Sequence, residues 1–227
     1  MMLVRHRIDD ELLREMAGRL SAEDAAEMAI PSYLHKNPLL RSMAWWRVDV
    51  LAKRLDRAAR AVGRNELTIV DYGCGSGVLF GDALRFARDL VGVDLVLDAA
   101  KLLVERRAYR GVRLLTPDEA ETQIEPGSVD IILAGEVLEH IEPLGPILQR
   151  FRSWLRDDRS RLLVTLPTEN QLYQLGRKIA GFSGHYHHAT AATITPEIQQ
   201  VGFTLTRRET IPLPGPLSIY WCMDFAK

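Results

Sequence analysis

The chain has 227 residues, 47% of them hydrophobic, and a formal net charge of −1. That balance excludes a disordered chain and a strongly basic nucleic-acid binder, and the length suits one α/β domain with an appendage. Apolar runs fall short of the roughly 18 residues of a membrane span, the start shows no signal-peptide pattern, and Cys74 and Cys222 have no metal-type spacing, so a reduced, cytoplasmic protein is expected.

Residues 1–62 predict helices. Asp9 can cap a helix whose apolar side is Ile8, Leu12, Leu13, Met16 and Leu20. Ser21 to Asp24 has capping-box spacing and opens a second short helix, which Pro31 is expected to close. Pro31 to Pro38 reads as a turn-rich link carrying Tyr33 and His35. A third helix follows from the steps Leu40, Ala44, Val48, Leu51, Leu55, Ala58 and Val62, with Gly63 suited to its C-terminal cap.

From residue 67 strands and helices alternate, which predicts a parallel sheet covered on both faces. Leu67–Val70 is a β-branched run for a buried strand, ended by Asp71, with Gly73, Gly75 and Gly77 next and then Val78, Leu79, Ala83, Leu84 and Phe86 at helical spacing. Strand, glycine turn and helix form the geometry in which an open sheet binds a nucleotide-like ligand at its carboxyl edge. The dinucleotide fingerprint fails because position 78 is Val78, and the phosphate loop fails because no lysine follows the glycines. A carboxylate just ahead of the loop would repel a pyrophosphate and attract a cationic or amino-bearing ligand.

The second strand, Leu90–Asp94, ends in an acid 23 residues after Asp71, placed to accept hydrogen bonds from both hydroxyls of a ribose. A helix over Asp98–Tyr109, a strand over 111–115 and the segment Thr116–Glu119 come next. Glu125–Asp130 is a turn into a fourth strand, Val129–Ala134. In Gly135-Glu-Val-Leu-Glu-His140, the residues Glu136, Glu139 and His140 stand at i, i+3 and i+4, one face of any helix starting there. A helix over Leu144–Leu155 and a strand over Arg161–Pro167 lead to a polar connection, 168–189, with the cluster His185-Tyr-His-His188. Thr190–Val201 predicts the last helix, with a kink or late start at Pro196. Phe203–Ile211 and Leu217–Phe225 predict a closing antiparallel pair.

The run Val70-Asp-Tyr-Gly-Cys-Gly-Ser-Gly77, the turn at Glu125–Asp130 and the run Gly135–His140 resemble the class I S-adenosylmethionine-dependent methyltransferases. The last of them is similar to the ubiquinone-biosynthesis type of small-molecule O-methyltransferase, and the likeness covers about residues 67–225. It implies a Rossmann-like, doubly wound α/β sheet of seven strands, mostly parallel with an antiparallel last strand, on residues 63–227, under an N-terminal helical cap of residues 1–62. It implies S-adenosylmethionine held by Asp71, Gly73, Cys74, Gly75, Gly77 and Asp94, with Leu95 on the adenine and Gly135 and Glu136 alongside. Asp118 is expected near the adenine amino group or, alternatively, as a plain helix cap.

An N-terminal extension in such enzymes covers the donor site, which would bring Tyr33, His35, Trp45 or Trp46 near substrate; the alternative, favoured here, is that both tryptophans pack the cap onto the sheet. The implied reaction methylates a hydroxyl or other nucleophile of a small molecule, with His140, His185 or His187 as base. Glu136, Glu139 and His140, with His188 across the cleft, would suit Mg²⁺ or Mn²⁺ and could accept Zn²⁺; alternatively the run only caps a helix and lines the donor pocket. The other readings are a metal-using RNA-end 2′-O-methyltransferase, opposed by the near-neutral charge, a non-catalytic S-adenosylmethionine binder, and an NAD-dependent dehydrogenase, opposed by Val78.

Overall fold

The structure is a computed structural model and describes residues 7–168, 170 and 189–227. Seven strands form one sheet: β1 (Leu67–Tyr72), β2 (Ala87–Val93), β3 (Val112–Leu115), β4 (Ile131–Gly135), β5 (Arg161–Pro167), β6 (Thr204–Pro212) and β7 (Ser218–Ala226). Their order is β3-β2-β1-β4-β5-β7-β6, with β7 antiparallel to both neighbours and the other ladders parallel. The mostly parallel, doubly wound architecture expected from the sequence is therefore present. Chain order reverses between β1 and β4, so the crevice outside their carboxyl ends is where such a sheet receives ligands.

Nine helices accompany the strands among the described residues: α1 (Asp10–Arg19), α2 (Ala22–Glu27), α3 (Ile30–Tyr33), α4 (Pro38–Val62), α5 (Phe80–Ala83), α6 (Asp98–Arg106), α7 (Pro117–Gln123), α8 (Leu144–Trp154) and α9 (Ala191–Gln200). Side chains alternate across each strand, so one sequence feeds two cores. Ile69, Leu90, Ile131 and Leu163 pack under α1, α3, α4 and α6. Val70, Val91, Ile132 and Val164 pack on the other face under α7, α8 and α9. The first core runs without a break from Leu13, Met16 and Tyr33 of the cap into the sheet.

The cap begins where local rules place it. Asp9 accepts a hydrogen bond from the Leu12 N–H, Ser21 from the Asp24 N–H, and α4 ends on Gly63 at φ +67°. Pro31, however, does not close α2. That helix stops at Glu27, and Pro31 sits in the first turn of α3, where its missing N–H has no intrahelical partner to lose. The tryptophans also part company. Trp45 is buried and stacks on Tyr33 with centroids 4.6 Å apart, whereas Trp46 is 40% exposed, because neighbours on a helix point about 100° apart. The expectation that both pack the cap therefore holds for Trp45 alone.

Other boundaries shift for identifiable reasons. The helix after the glycine turn is the single turn α5, and β2 already starts at Ala87, since Phe80 fills the space beneath Gly92 within that turn. The fourth strand starts at Ile131, not Val129; Asp130, fully buried, accepts from the Thr68 N–H and pairs with Arg64 and Arg156 instead. The last helix has no late start. It follows Thr190 directly and runs past Pro196, with the Thr195 hydroxyl donating to the Ala191 carbonyl at 2.6 Å. Among the described residues, no helix is long and apolar enough to cross a membrane.

Candidate functional site

The site is built at the carboxyl ends of β1, β2 and β4. The loop leaving β1 is tied back to β2, as the Gly73 and Cys74 N–H groups donate to the Val93 carbonyl at 2.8 and 3.1 Å. Asp94, just past β2, accepts from the Gly75 N–H at 2.7 Å and the Val96 N–H at 3.3 Å. At Gly73, φ is +75° and a Cβ would stand 2.4 Å from the Cβ of Val137, so no other residue fits without rebuilding the segment after β4. At Gly75, φ is +51° and a Cβ would meet Met28 of the cap at 3.5 Å. The corner between α2 and α3 thus lies directly on the glycine turn.

Asp71 is buried beneath this turn. Desolvation and the neighbouring charge of Asp94 push its carboxyl up to about 7, so it holds a proton to near neutrality. A buried acid beside a second acid favours a cationic guest, the chemistry of an ammonium or sulfonium group. Together with a bare glycine backbone, that donor set fits S-adenosylmethionine. The Cys74 thiol is buried, and that burial, with the charges of Asp71 and Asp94, pushes it well above its usual range.

The β2–β3 end of the sheet carries the other predicted residues. Leu95 is 82% exposed next to Asp94. Thr116 and Glu119 complete a capping box between themselves, with Glu119 accepting from the Thr116 N–H at 2.8 Å. Asp118, exposed in the same first turn, is left outside that cap. The Tyr72 hydroxyl is pushed up to about 12, chiefly by burial and further by the charges of Glu121, Asp94 and Asp118.

On the opposite side a cavity of about 60 Å³ lies between Tyr33 and Arg47 of the cap and Asp71, Gly73, Gly135 and Glu136 of the sheet. Arg47 pairs with Glu136 and donates to the Tyr220 hydroxyl at 3.2 Å. Its guanidinium stands 5.8 Å from the Tyr33 ring and 5.7 Å from the Tyr220 ring. Glu136 has φ +56°, a left-handed conformation that non-glycine residues seldom adopt and that its surroundings must hold.

The trio Glu136, Glu139 and His140 is not brought to one face. After Glu136 the chain makes a single 3₁₀ turn, Leu138–His140, and not an α-helix, so spacings of three and four no longer align. Glu139 points inward, 1% exposed, while His140 is exposed. Among the described residues no three metal-type ligands converge. His185, His187 and His188 lie outside the described residues.

Sequence reasoning missed Arg47, Arg54 and Tyr220. The signal was present for two of them. Arg47, Leu51, Arg54 and Ala58 step by three or four along α4, so both arginines lie on its apolar stripe. A charge there implies a buried partner supplied from elsewhere.

A family model described as a methyltransferase domain matches residues 43–208. A ubiquinone biosynthesis O-methyltransferase of Nitrobacter winogradskyi is 32% identical over 136 residues, covering 56% of this chain and 50% of that protein. Its counterpart from Rhodopseudomonas palustris strain BisB18 is 33% identical over 156 residues, covering 65% and 58%. The match thus spans little more than half the length of these relatives. Among solved structures, a magnesium protoporphyrin IX methyltransferase from Synechocystis PCC 6803 with bound S-adenosylhomocysteine shares the fold at TM-score 0.62 and 19% identity, covering 96% of this chain and 93% of that one. An N-methyltransferase from Bradyrhizobium japonicum WM9, in complex with S-adenosylhomocysteine, does so at TM-score 0.61 and 16% identity, covering 96% and 99%.

Proposed function

The chain belongs to the methyltransferase-domain family, with the class I S-adenosylmethionine-dependent fold, and on that premise we propose that it methylates a hydroxyl of a small molecule enclosed beneath residues 1–62. The observation carrying this reading is the buried acid Asp71 under a glycine turn that Asp94 pins. When bound, S-adenosylmethionine supplies a methyl group already activated by sulfonium charge. Asp71 compensates positive charge from below, Gly73 and Gly75 give the backbone clearance for close approach, and Asp94 turns its remaining acceptor capacity toward the ribose. Leu95 covers the adenine and Asp118 meets its amino group. Residues 1–62 act as a lid that excludes water and fixes the acceptor, a contribution of up to about 7–11 kcal/mol in aligned reactions. A hydroxyl must also lose its proton, and His140, His185 and His187 are the proposed bases. With Glu136 held by Arg47 and Glu139 turned inward, we derive no step through a divalent ion.

Incubation with methyl-labelled S-adenosylmethionine and a panel of small phenols and alcohols tests the reading. Label transfer is the expected result; calorimetry that finds NAD binding and no S-adenosylmethionine binding sinks it. In the same assay, deletion of residues 1–38 is expected to remove transfer more than it weakens donor binding, since it takes away the Met28 contact at Gly75 but leaves the Asp94 bond to the Gly75 N–H in place. A truncated protein that transfers label as well as the full chain removes the lid from the mechanism.

The titration of Asp71 yields a second expectation. Its folded-state pKa lies above the unfolded value of 3.8, so the stabilisation it provides is complete below that value and is lost as pH rises through about 7. A cation bound beside it favours the ionised form. Binding of S-adenosylmethionine near pH 6 is therefore expected to release close to one proton, and affinity to rise toward about pH 7 and then level. Calorimetry in buffers of different ionisation enthalpy reads the proton count directly. Asp71→Asn should abolish it, and a wild-type affinity independent of pH would contradict the assignment.

A further inference from the structure

We infer that one face of the molecule, formed by the first turns of α4 and the hairpin between β6 and β7, docks on a lipid bilayer surface that carries anionic headgroups. The inference does not depend on the methyltransferase reading. Among the described residues five large apolar side chains are exposed: Leu39, Trp46, Leu95, Leu213 and Leu217. Leu95 stands next to Asp94, and none of the other four lines the cavity beside the glycine turn. Leu39, the half-buried Met43 and Trp46 follow at steps of four and three, so they share one side of α4. Val50, the next residue on that side, packs with Ile211 and Cys222 at the root of the hairpin. That cluster holds the helix stripe beside the hairpin. From Leu213 to Leu217 every residue of the hairpin tip is exposed.

Charge selects the occupant. Between Glu27 and Asp49 the chain carries Lys36, Arg41 and Arg47 but no acid, and between Glu209 and Asp224 it has no charged residue at all. The flanking acids Asp49, Glu209 and Asp224 each lie beside an arginine. Lys36, exposed three residues before Leu39, and Arg41, which pairs with Asp10 at 3.6 Å, therefore set positive charge at the rim of the apolar side chains. Two copies meeting through this face would bring those cations together, and a nucleic acid offers the leucines no apolar partner. An anionic lipid surface takes both parts, since apolar side chains enter the acyl boundary while basic groups meet phosphates. The stripe is short, roughly 10 Å from Leu39 to Trp46, so it suits the interface and not a span. A tryptophan belongs at that level, with an apolar ring body and a polar N–H.

Flotation of the full chain with vesicles tests the inference, one set made of phosphatidylcholine and a second of equal parts phosphatidylcholine and phosphatidylglycerol. Partition is expected to favour the anionic set about tenfold at low salt and to fall as salt rises. Leu213→Glu with Leu217→Glu should lower partition about tenfold or more, with thermal unfolding unchanged because both side chains are already exposed. Lys36→Glu should weaken binding to the anionic set alone. Trp46→Phe should keep binding but remove most of the blue shift in tryptophan emission that insertion produces. Absence of partition, equal partition into the two sets, or partition unchanged in the double leucine variant overturns the proposal. So does a dimer in light scattering that the double leucine variant dissociates, since a second copy would then cover the face.

Discussion

Arg54→Ala is expected to cost about 3–5 kcal/mol of stability, the range for removing one partner of a buried ion pair. Arg54 lies on α4 with no solvent exposure, pairs with Asp224 and donates to the Cys222 carbonyl at 2.6 Å, so one side chain fastens the longest helix to β7. Burial pushes the Asp224 carboxyl up, and the Arg54 charge beside it pulls it back. Without Arg54, Asp224 loses its hydrogen-bonded cation and keeps only the weaker charge interactions of Arg57 and Arg207, and the Cys222 carbonyl loses its donor. The penalty should shrink as pH falls, because a protonated Asp224 no longer needs a cation. Urea denaturation at two pH values measures both quantities. The double variant Arg54→Met with Asp224→Leu should recover most of the loss, since an apolar pair of similar volume often replaces a buried ion pair without cost. A loss below about 1 kcal/mol in the single variant would mean that α4 is held by apolar packing alone.

Asp94→Ala is expected to weaken S-adenosylhomocysteine binding by about 1–3 kcal/mol, or roughly tenfold to a hundredfold, the range for hydrogen bonds to a charged acceptor. Two losses combine. The ribose would lose its acceptor, and the Gly75 N–H would lose the bond that presents the turn in its bound shape. One gain partly offsets them. Asp94 is the charge that helps hold Asp71 protonated, so its removal makes Asp71 easier to ionise and a better host for an ammonium group. Asp94→Asn separates the contributions, because an amide oxygen still accepts from Gly75 but carries no charge, and its affinity should fall between wild type and Asp94→Ala. Calorimetry with S-adenosylhomocysteine gives the three constants, with thermal unfolding as the control for the turn. Equal affinity in wild type and Asp94→Ala would move the ribose away from β2.

The sequence by itself determined whatever depends on near neighbours along the chain. Asp9, Ser21 and Gly63 announced helix ends because a cap bonds within three or four residues of itself. The β-branched runs announced strands, and the alternation of strand and helix announced their parallel order, because crossovers between parallel strands follow few routes. Asp71, the three glycines and Asp94 were legible since a glycine turn between strand and helix is a local device. The boundary errors at α5 and Val129 arose where a buried partner outside the segment decided the ending, whereas Pro31 was misplaced because a proline suits the first turn of a helix as well as the stretch after one.

Tertiary structure alone decided the charge pairs between α4 and the sheet. Arg47 meets Glu136 across 89 residues of sequence, and Arg54 meets Asp224 across 170. No period or spacing encodes such pairs, and their only trace in the sequence is a positive charge on an apolar stripe. The same holds for Glu136, Glu139 and His140. Their spacing reads as one helical face, but the left-handed turn at Glu136 and the 3₁₀ turn after it send Glu139 into the core and His140 to solvent. What a backbone does just beyond a strand depends on what lies above that strand, and here Arg47 of the cap lies above it.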